Sequence, residues 1–275
     1  MEQVVPGLWK VSCPGRTLPP YAGTECYWLV SAGEAILVDA GDGQDAANAA
    51  LEESWEALGK PRVQGIYLTH HHFDHSGGAK WASTVFHAPA WIHPVERSRL
   101  VDEIASATEP LTATAVRVGD RHADILVAPG HAAGQINLWV KDAAVLLAGD
   151  NVLGATTVVV APPDGNLRSY QLTLARLRAL SPRIIGPGHG PLIVDGVAYL
   201  EGYIQHRRER EAEILSLLAQ GPAAPLEIAQ QIYRNRLTPD KMFVGEWMIR
   251  GHLAALQEEG AVDGSPDHQR YWLRR

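Results

Sequence analysis

An apolar run from Val63 to Leu68 ends at Thr69 and is followed at once by His70-His71-His72-Phe73-Asp74-His75-Ser76-Gly77-Gly78. Four residues able to bind a metal, His70, His72, Asp74 and His75, fall within six positions. Neither the strand repeat nor the helix repeat would gather them on one side. A loop leaving a strand end can turn His70 and His72 toward one point and Asp74 and His75 toward a neighbouring one. Imidazole and carboxylate donors suit zinc and similar divalent cations, and the lack of cysteine among them argues against a closed structural zinc. A histidine-rich surface loop is the competing reading, but it leaves the aspartate and the Gly-Gly pair unexplained. His71 and Phe73 alternate with the candidate ligands and are expected to face away and pack.

Three further candidates follow expected strand ends, each introduced by glycine: His131 after Pro129-Gly130, Asp150 after Ala148-Gly149, and His189 after Pro187-Gly188. Glycine lets the backbone turn sharply and approach a ligand closely, so a side chain can be presented just past a strand. Singly, each is an ordinary turn pair; in this order and company they point to one metal centre. His87, His93, His122, His252 and His268 lack such context and are expected to be surface or satisfied core histidines.

Up to about residue 200, short β-rich runs alternate with turns and helical stretches, the pattern of strands packed under helices. Strands are expected at Tyr27 to Val30, Ala35 to Val38, Val63 to Leu68, Ile125 to Val127, Ile136 to Val140, Ala144 to Leu147 and Arg183 to Ile185. Helices are expected at Asp45 to Leu58, Gly77 to Ala82 and Arg168 to Leu180. From Glu201 onward the texture changes. Helices fit Tyr203 to Ala219, Pro225 to Tyr233 and Pro239 to Glu259, and a hairpin of Ala261-Val262 with Tyr271 to Leu273 turns at Gly264-Ser265-Pro266-Asp267. Two domains are therefore expected, 1–200 and 201–275, the second being three helices and a wing, as in a winged-helix module. That tail carries ten basic against eleven acidic residues, so a packing or substrate-rim role is favoured over duplex DNA reading.

The ordered pattern His-x-His-x-Asp-His, then His, Asp and His, resembles the metallo-beta-lactamase superfamily, with every motif position matched over about the first 200 residues. The resemblance implies an α+β chain, a four-layer αββα sandwich, here with a C-terminal winged-helix-like domain. It implies a dinuclear site in which His70, His72 and His131 hold one metal, Asp74, His75 and His189 hold the second, and Asp150 bridges both. Asp74 and Asp150 are then the carboxylates on which catalysis depends. The run Ile36-Leu37-Val38-Asp39-Ala40-Gly41 matches the family's first motif, whose aspartate supports the site from behind the ligands. Within the superfamily the chain is most similar to the beta-lactamase-like protein 2 group. The supporting residues are Gly23-Thr24, Cys26-Tyr27, Gly186 to Pro191 and Tyr203-Ile204-Gln205-His206-Arg207. Glu25 and Ala132-Ala133 depart from that group's pattern.

The implied activity is hydrolysis by a hydroxide shared between two divalent cations, zinc by imidazole preference, with manganese or iron as alternatives. Ester, thioester, lactam and phosphodiester bonds are all open to such a site. The substrate is a small ester, thioester or lactam, or single-stranded RNA if the subgroup's endoribonuclease activity carries over. A thioesterase resembling glyoxalase II, a non-enzymatic nucleic-acid-binding regulator and iron-dependent oxygen chemistry are the alternatives. Tyr170, Tyr203, His206 and Arg207 are candidate substrate contacts, with a solvated helix face as the other reading of Arg207. The formal charge of −7 provides no long-range attraction to phosphate backbones. With no basic flank leading into an apolar segment and no membrane-length apolar run, the chain is expected to be cytoplasmic, with Cys13 and Cys26 as buried thiols.

Overall fold

Successive residues of one strand enter two different cores, and this double burial sets the architecture. In Gly23–Ser31, Cys26 and Trp28 join one apolar cluster while Tyr27 and Leu29 join another. In Glu34–Val38, Ala35 and Leu37 face the first cluster, and Ile36 and Val38 the second. Side chains alternate across a strand, so a strand apolar throughout must be covered on both faces. The computed structural model describes residues 1–265, 267 and 269–274. Pro266 of the expected hairpin turn and His268 lie outside the described residues.

The described residues form two compact units. The first comprises 1–128, 134–157 and 181–197. Its larger sheet runs in spatial order β1 (Glu2–Val5), β2 (Leu8–Pro14), β3 (Gly23–Ser31), β4 (Glu34–Val38), β5 (Arg62–Leu68), β6 (Ala90–Ile92) and β7 (Thr108–Pro110). The smaller sheet has β8 (Ala115–Val118), β9 (Arg121–Val127), β10 (Ile136–Val140), β11 (Val145–Gly149) and β12 (Ile184–Pro187), in the order β12-β11-β10-β9-β8. The helices of this unit are α1 (Asp45–Ala57), α2 (Phe73–Ser76), α3 (Ala79–Val85), α4 (Pro94–Arg97) and α5 (Asp102–Ala105). Ala47 and Leu51 of α1, with Ala79 and Ala82 of α3, cover the outer face of the larger sheet. Its inner face packs on Val116, Ile125, Ile136, Leu138, Val145 and Leu147 of the smaller one. The result is a helix layer on two facing sheets, a mixed α/β arrangement. Each fully buried aliphatic side chain here contributes about 1.5–3 kcal/mol.

Two parallel pairings set up the chemistry. β4 pairs parallel with β5, and β11 with β12. The residues just past their C-terminal ends, Asp39, Thr69, Asp150 and His189, are therefore delivered at strand ends and not inside strands. Asp39 itself has a left-handed backbone, φ 60°, which turns the chain out of β4.

The second unit comprises 129–133, 158–180 and the chain from 198 onward. It contains α6 (Leu167–Ala179), α7 (Gly196–Leu218, from its third residue), α8 (Pro225–Tyr233), α9 (Met242–Glu258) and the antiparallel strands β13 (Val262–Gly264) and β14 (Tyr271–Leu273). Pro225 starts α8 at a position where no N–H is needed, and the Ala224 N–H donates to Glu227 Oε2 at 2.8 Å. Ile214, Leu218, Ile228, Tyr233, Ile249 and Leu253 form its core. Ala223 bridges antiparallel to Tyr271, adding a third short stretch beside the hairpin. α7 starts earlier than expected, because the apolar 196–200 stretch belongs to it.

Cys13 and Cys26 are buried free thiols, as expected. Among the described residues, no helix is long and apolar enough to cross a membrane.

Candidate metal centre

Asp39 is the hub from which the site is built. One of its oxygens accepts the Thr69 N–H at 2.7 Å; the other accepts the Thr69 hydroxyl at 2.9 Å and lies 2.7 Å from His75 Nδ1. Because the Thr69 hydroxyl donates to Asp39, it can only accept from His70 Nδ1, 3.0 Å away. The imidazole proton of His70 is thereby fixed on Nδ1. The same logic holds at His75, whose Nδ1–H faces a carboxylate, and at His189, whose Nδ1–H donates to the Gly23 carbonyl at 2.8 Å. In all three rings the Nε2 lone pair is left to point inward, the tautomer a metal ligand requires.

The inward atoms crowd together. His70 Nε2 lies 3.0 Å from His72 Nδ1, and His75 Nε2 lies 3.2 Å from His189 Nε2. Asp150 stands between the last two rings, with Oδ1 3.3 Å from His75 Nε2 and Oδ2 3.4 Å from His189 Nε2; Asp74 Oδ2 is also 3.4 Å from His189 Nε2. His70, His75 and Asp150 present donor atoms within 4.8 Å of one another, as do Asp74, His75 and His189. Four imidazoles and two carboxylates at these distances fit divalent cations in their chemistry.

The electrostatics agree in sign. Burial opposes protonation of His189, but the Asp150 and Asp74 carboxylates outweigh it and push its pKa up to about 10. Burial likewise opposes charge on His75, yet Asp150, Asp39 and Asp74 raise its pKa well above the usual histidine range. For Asp74 and Asp150 burial opposes ionisation, and the neighbouring histidines hold both carboxyls well below the ordinary carboxylate range. The cluster is a negative centre that holds positive charge.

Further residues surround it. The Tyr21 ring stacks on His189, centroids 5.3 Å apart and planes 24° apart, while its hydroxyl accepts the Thr156 N–H at 3.0 Å. The Thr24 hydroxyl donates to the Asp74 carbonyl at 2.8 Å. A Cβ on Gly188 would lie 2.1 Å from Asp150 Oδ1, so only glycine permits that carboxylate its place. Glu96, fully buried, accepts from the His71 backbone at 3.1 Å and from the Gly134 backbone at 2.6 Å.

Six of the seven candidate ligands, His70, His72, Asp74, His75, Asp150 and His189, belong to the first unit. His131 lies on the 129–133 segment of the second, where its Nδ1–H donates to the Val159 carbonyl at 2.9 Å, again leaving Nε2 as the lone-pair nitrogen. The packing expected of Phe73 and His71 needs correction. Phe73 does not pack: it is exposed, with the Arg16 guanidinium 5.1 Å above its ring. His71 meets a carboxylate, its Nδ1 2.5 Å from Glu96 Oε2, and its ring lies 4.6 Å from that of His72. In the second unit, Arg207 is not on a solvated face. It is buried against the Tyr170 ring and donates to the Val158 carbonyl at 2.6 Å. Tyr170 and Tyr203 are buried as well, which suits packing and not substrate contact. His252 is buried, but neither ring nitrogen makes a hydrogen bond of normal length; Glu211 is 3.7 Å away.

The sequence profile of the metallo-beta-lactamase superfamily matches residues 22–189. A relative from Caenorhabditis elegans called beta-lactamase-like protein 2 homolog is 29% identical over 85% of this chain and 75% of its own. An atrochrysone carboxyl ACP thioesterase from Aspergillus fumigatus is 28% identical over 79% of this chain and 70% of its own. Among solved structures, a metallo-beta-lactamase family protein of Thermus thermophilus superposes with a TM-score of 0.81 at 27% identity, covering 99% of this chain and 100% of that one. With a matching profile over more than half its length and a fold shared end to end with a solved member, this chain belongs to the metallo-beta-lactamase superfamily, as a metallo-hydrolase.

Proposed function

We propose that the chain is a dinuclear, zinc-dependent hydrolase that cleaves a small carboxylic thioester or ester. In this reading His70, His72 and His131 hold one cation, Asp74, His75 and His189 hold the other, and Asp150 lies between them. The carrying observation is the fixed tautomer: His70, His75 and His189 each spend Nδ1–H on the protein and direct Nε2 to a shared, acid-lined centre. Bound divalent cations supply Lewis acidity there and bring the pKa of water toward neutrality. The chain's own groups hold the geometry. Asp39 fixes Thr69 and the His75 ring, the Gly23 carbonyl fixes His189, and the Tyr21 ring walls one side.

The thioester preference draws on the fungal relative's name and on the acidic charge, which favours no polyanion. Residues 1–200 would carry the chemistry. Residues 201–275, with three helices, a hairpin and the Ala223 bridge, would be a winged-helix-like module.

The test is a substrate panel of an acyl thioester, a chromogenic lactam and a single-stranded RNA, run with wild type and Asp74→Ala, before and after chelation. Thioester cleavage that disappears in Asp74→Ala and after chelation, and returns with zinc, supports the proposal. RNA cleavage with no thioester turnover would replace it with the endoribonuclease reading. Activity that survives Asp74→Ala would remove the cluster from the chemistry.

A further inference from the structure

Glu96 sits on α4, between β6 and β7, far in sequence from every candidate ligand, yet its carboxylate has no exposed surface. Burying a carboxylate is costly unless hydrogen bonds replace its water. Both oxygens are met. Oε2 accepts the His71 backbone N–H at 3.1 Å and lies 2.5 Å from His71 Nδ1, while Oε1 accepts the Gly134 N–H at 2.6 Å. These contacts reach two chain segments that lead to different sheets.

The first segment is the loop after β5. His71 lies between His70 and His72, whose Nε2 and Nδ1 stand 3.0 Å apart, so pinning its backbone and its ring holds the loop from which both project. The second is the return of the His131 segment. That segment leaves β9 at Ala128 and rejoins β10 through Gly134 and Gln135, and its mouth is closed by the Ala128 N–H donating to the Gln135 carbonyl at 2.8 Å. Gly134 is open enough to meet α4 because it lacks a side chain: a Cβ there would lie 2.4 Å from His93 Nδ1.

We propose that Glu96 is a positioning residue for the metal centre, one carboxylate that keys the β5 ligand loop of the larger sheet to the root of the His131 segment of the smaller sheet. It acts through His71 and Gly134. The inference rests on the metal-site reading above. Removing either contact would loosen the spacing of donors drawn from two sheets, and groups that orient ligands typically change metal affinity by about 10- to 100-fold.

The experiment loads the full chain with Co2+ and records its ligand-field absorption, its affinity in a chelator competition and the unfolding midpoint of the metal-free form. It compares wild type, Glu96→Gln, Glu96→Asp, His71→Phe and the remote core variant Leu51→Ala. Glu96→Gln keeps the shape and loses an acceptor, and Glu96→Asp keeps the charge but cannot reach both partners. Both are expected to shift the Co2+ spectrum and weaken affinity about 10- to 100-fold. His71→Phe, which keeps the backbone contact, is expected to do less. Leu51→Ala is expected to lower the midpoint with the spectrum unchanged. If Glu96→Gln lowers only the midpoint, as Leu51→Ala does, and leaves spectrum and affinity at wild-type values, the positioning role is overturned. Wild type that binds no Co2+ overturns the metal-site reading itself, and this inference with it.

Discussion

Among the described residues, histidine is buried in two places, and the two burials have opposite electrical sign. His75 and His189 lie beside Asp39, Asp74 and Asp150, and their pKa values rise, that of His189 to about 10. His252 in the second unit is just as buried, but burial, aided by the charges of Arg207 and Arg210, drives its pKa down to about 4 against the pull of Glu211. Loss of water disfavours charge at all three sites, so the neighbours decide the outcome. A histidine cluster raised by carboxylates is a place that attracts cations. A histidine lowered among arginines is a neutral core residue. Residue type alone does not distinguish the two, whereas the sign of the surrounding charge does.

The sharpest way to break this contrast is to remove the carboxylate between the two raised histidines. Asp150→Ala is expected to reduce kcat/KM by about a thousandfold, on the order of 4 kcal/mol, with metal content falling in parallel. The lowered histidine makes a stability prediction. Below pH 6.5 the unfolded chain binds a proton at His252 that the folded chain refuses, so its contribution is complete above 6.5 and declines as pH falls toward 4. The deficit approaches about 3 kcal/mol, and urea midpoints at pH 7 and 4.5 should converge in His252→Leu relative to wild type. Gly188→Ala sharpens the other side. The added Cβ would lie 2.1 Å from Asp150 Oδ1 and 2.9 Å from His75 Cε1, and a chelator competition should show metal affinity lower by about 10- to 100-fold in a folded protein. A further effect is on pH. The carboxylates beside His189 push its pKa up to about 10 in the metal-free chain, so a cation competes with that proton and affinity should fall as pH falls. An affinity flat between pH 8 and 6 would contradict the assigned sign.

The ligand loop was legible in the sequence because its spacing is useless to a helix or a strand and its residue types share one chemistry. Asp39 was legible only through the resemblance of Ile36 to Gly41 to the family's first motif. Strand positions from β3 to β5 were legible through uninterrupted apolar residues, which the structure explains by two cores, one on each face. Tyr21 and Glu96 were not legible, nor was the contact Thr24 makes, because each acts across a long sequence gap: Tyr21 on His189, Thr24 on Asp74, and Glu96 on His71 and Gly134. The one local hint for Glu96 is His93-Pro94 opening a short helix with an acid in its first turn. Arg207 misleads for a related reason. A charged residue on a polar helix suggests solvent, and only the Tyr170 ring and the Val158 carbonyl explain its burial.

The most direct test of the account is the metal stoichiometry of the full chain, by elemental analysis after purification without added metal and again after equilibration with zinc. The account predicts two zinc per chain, falling in Asp150→Ala. A single iron, or no metal retained even after equilibration, would contradict the dinuclear hydrolase.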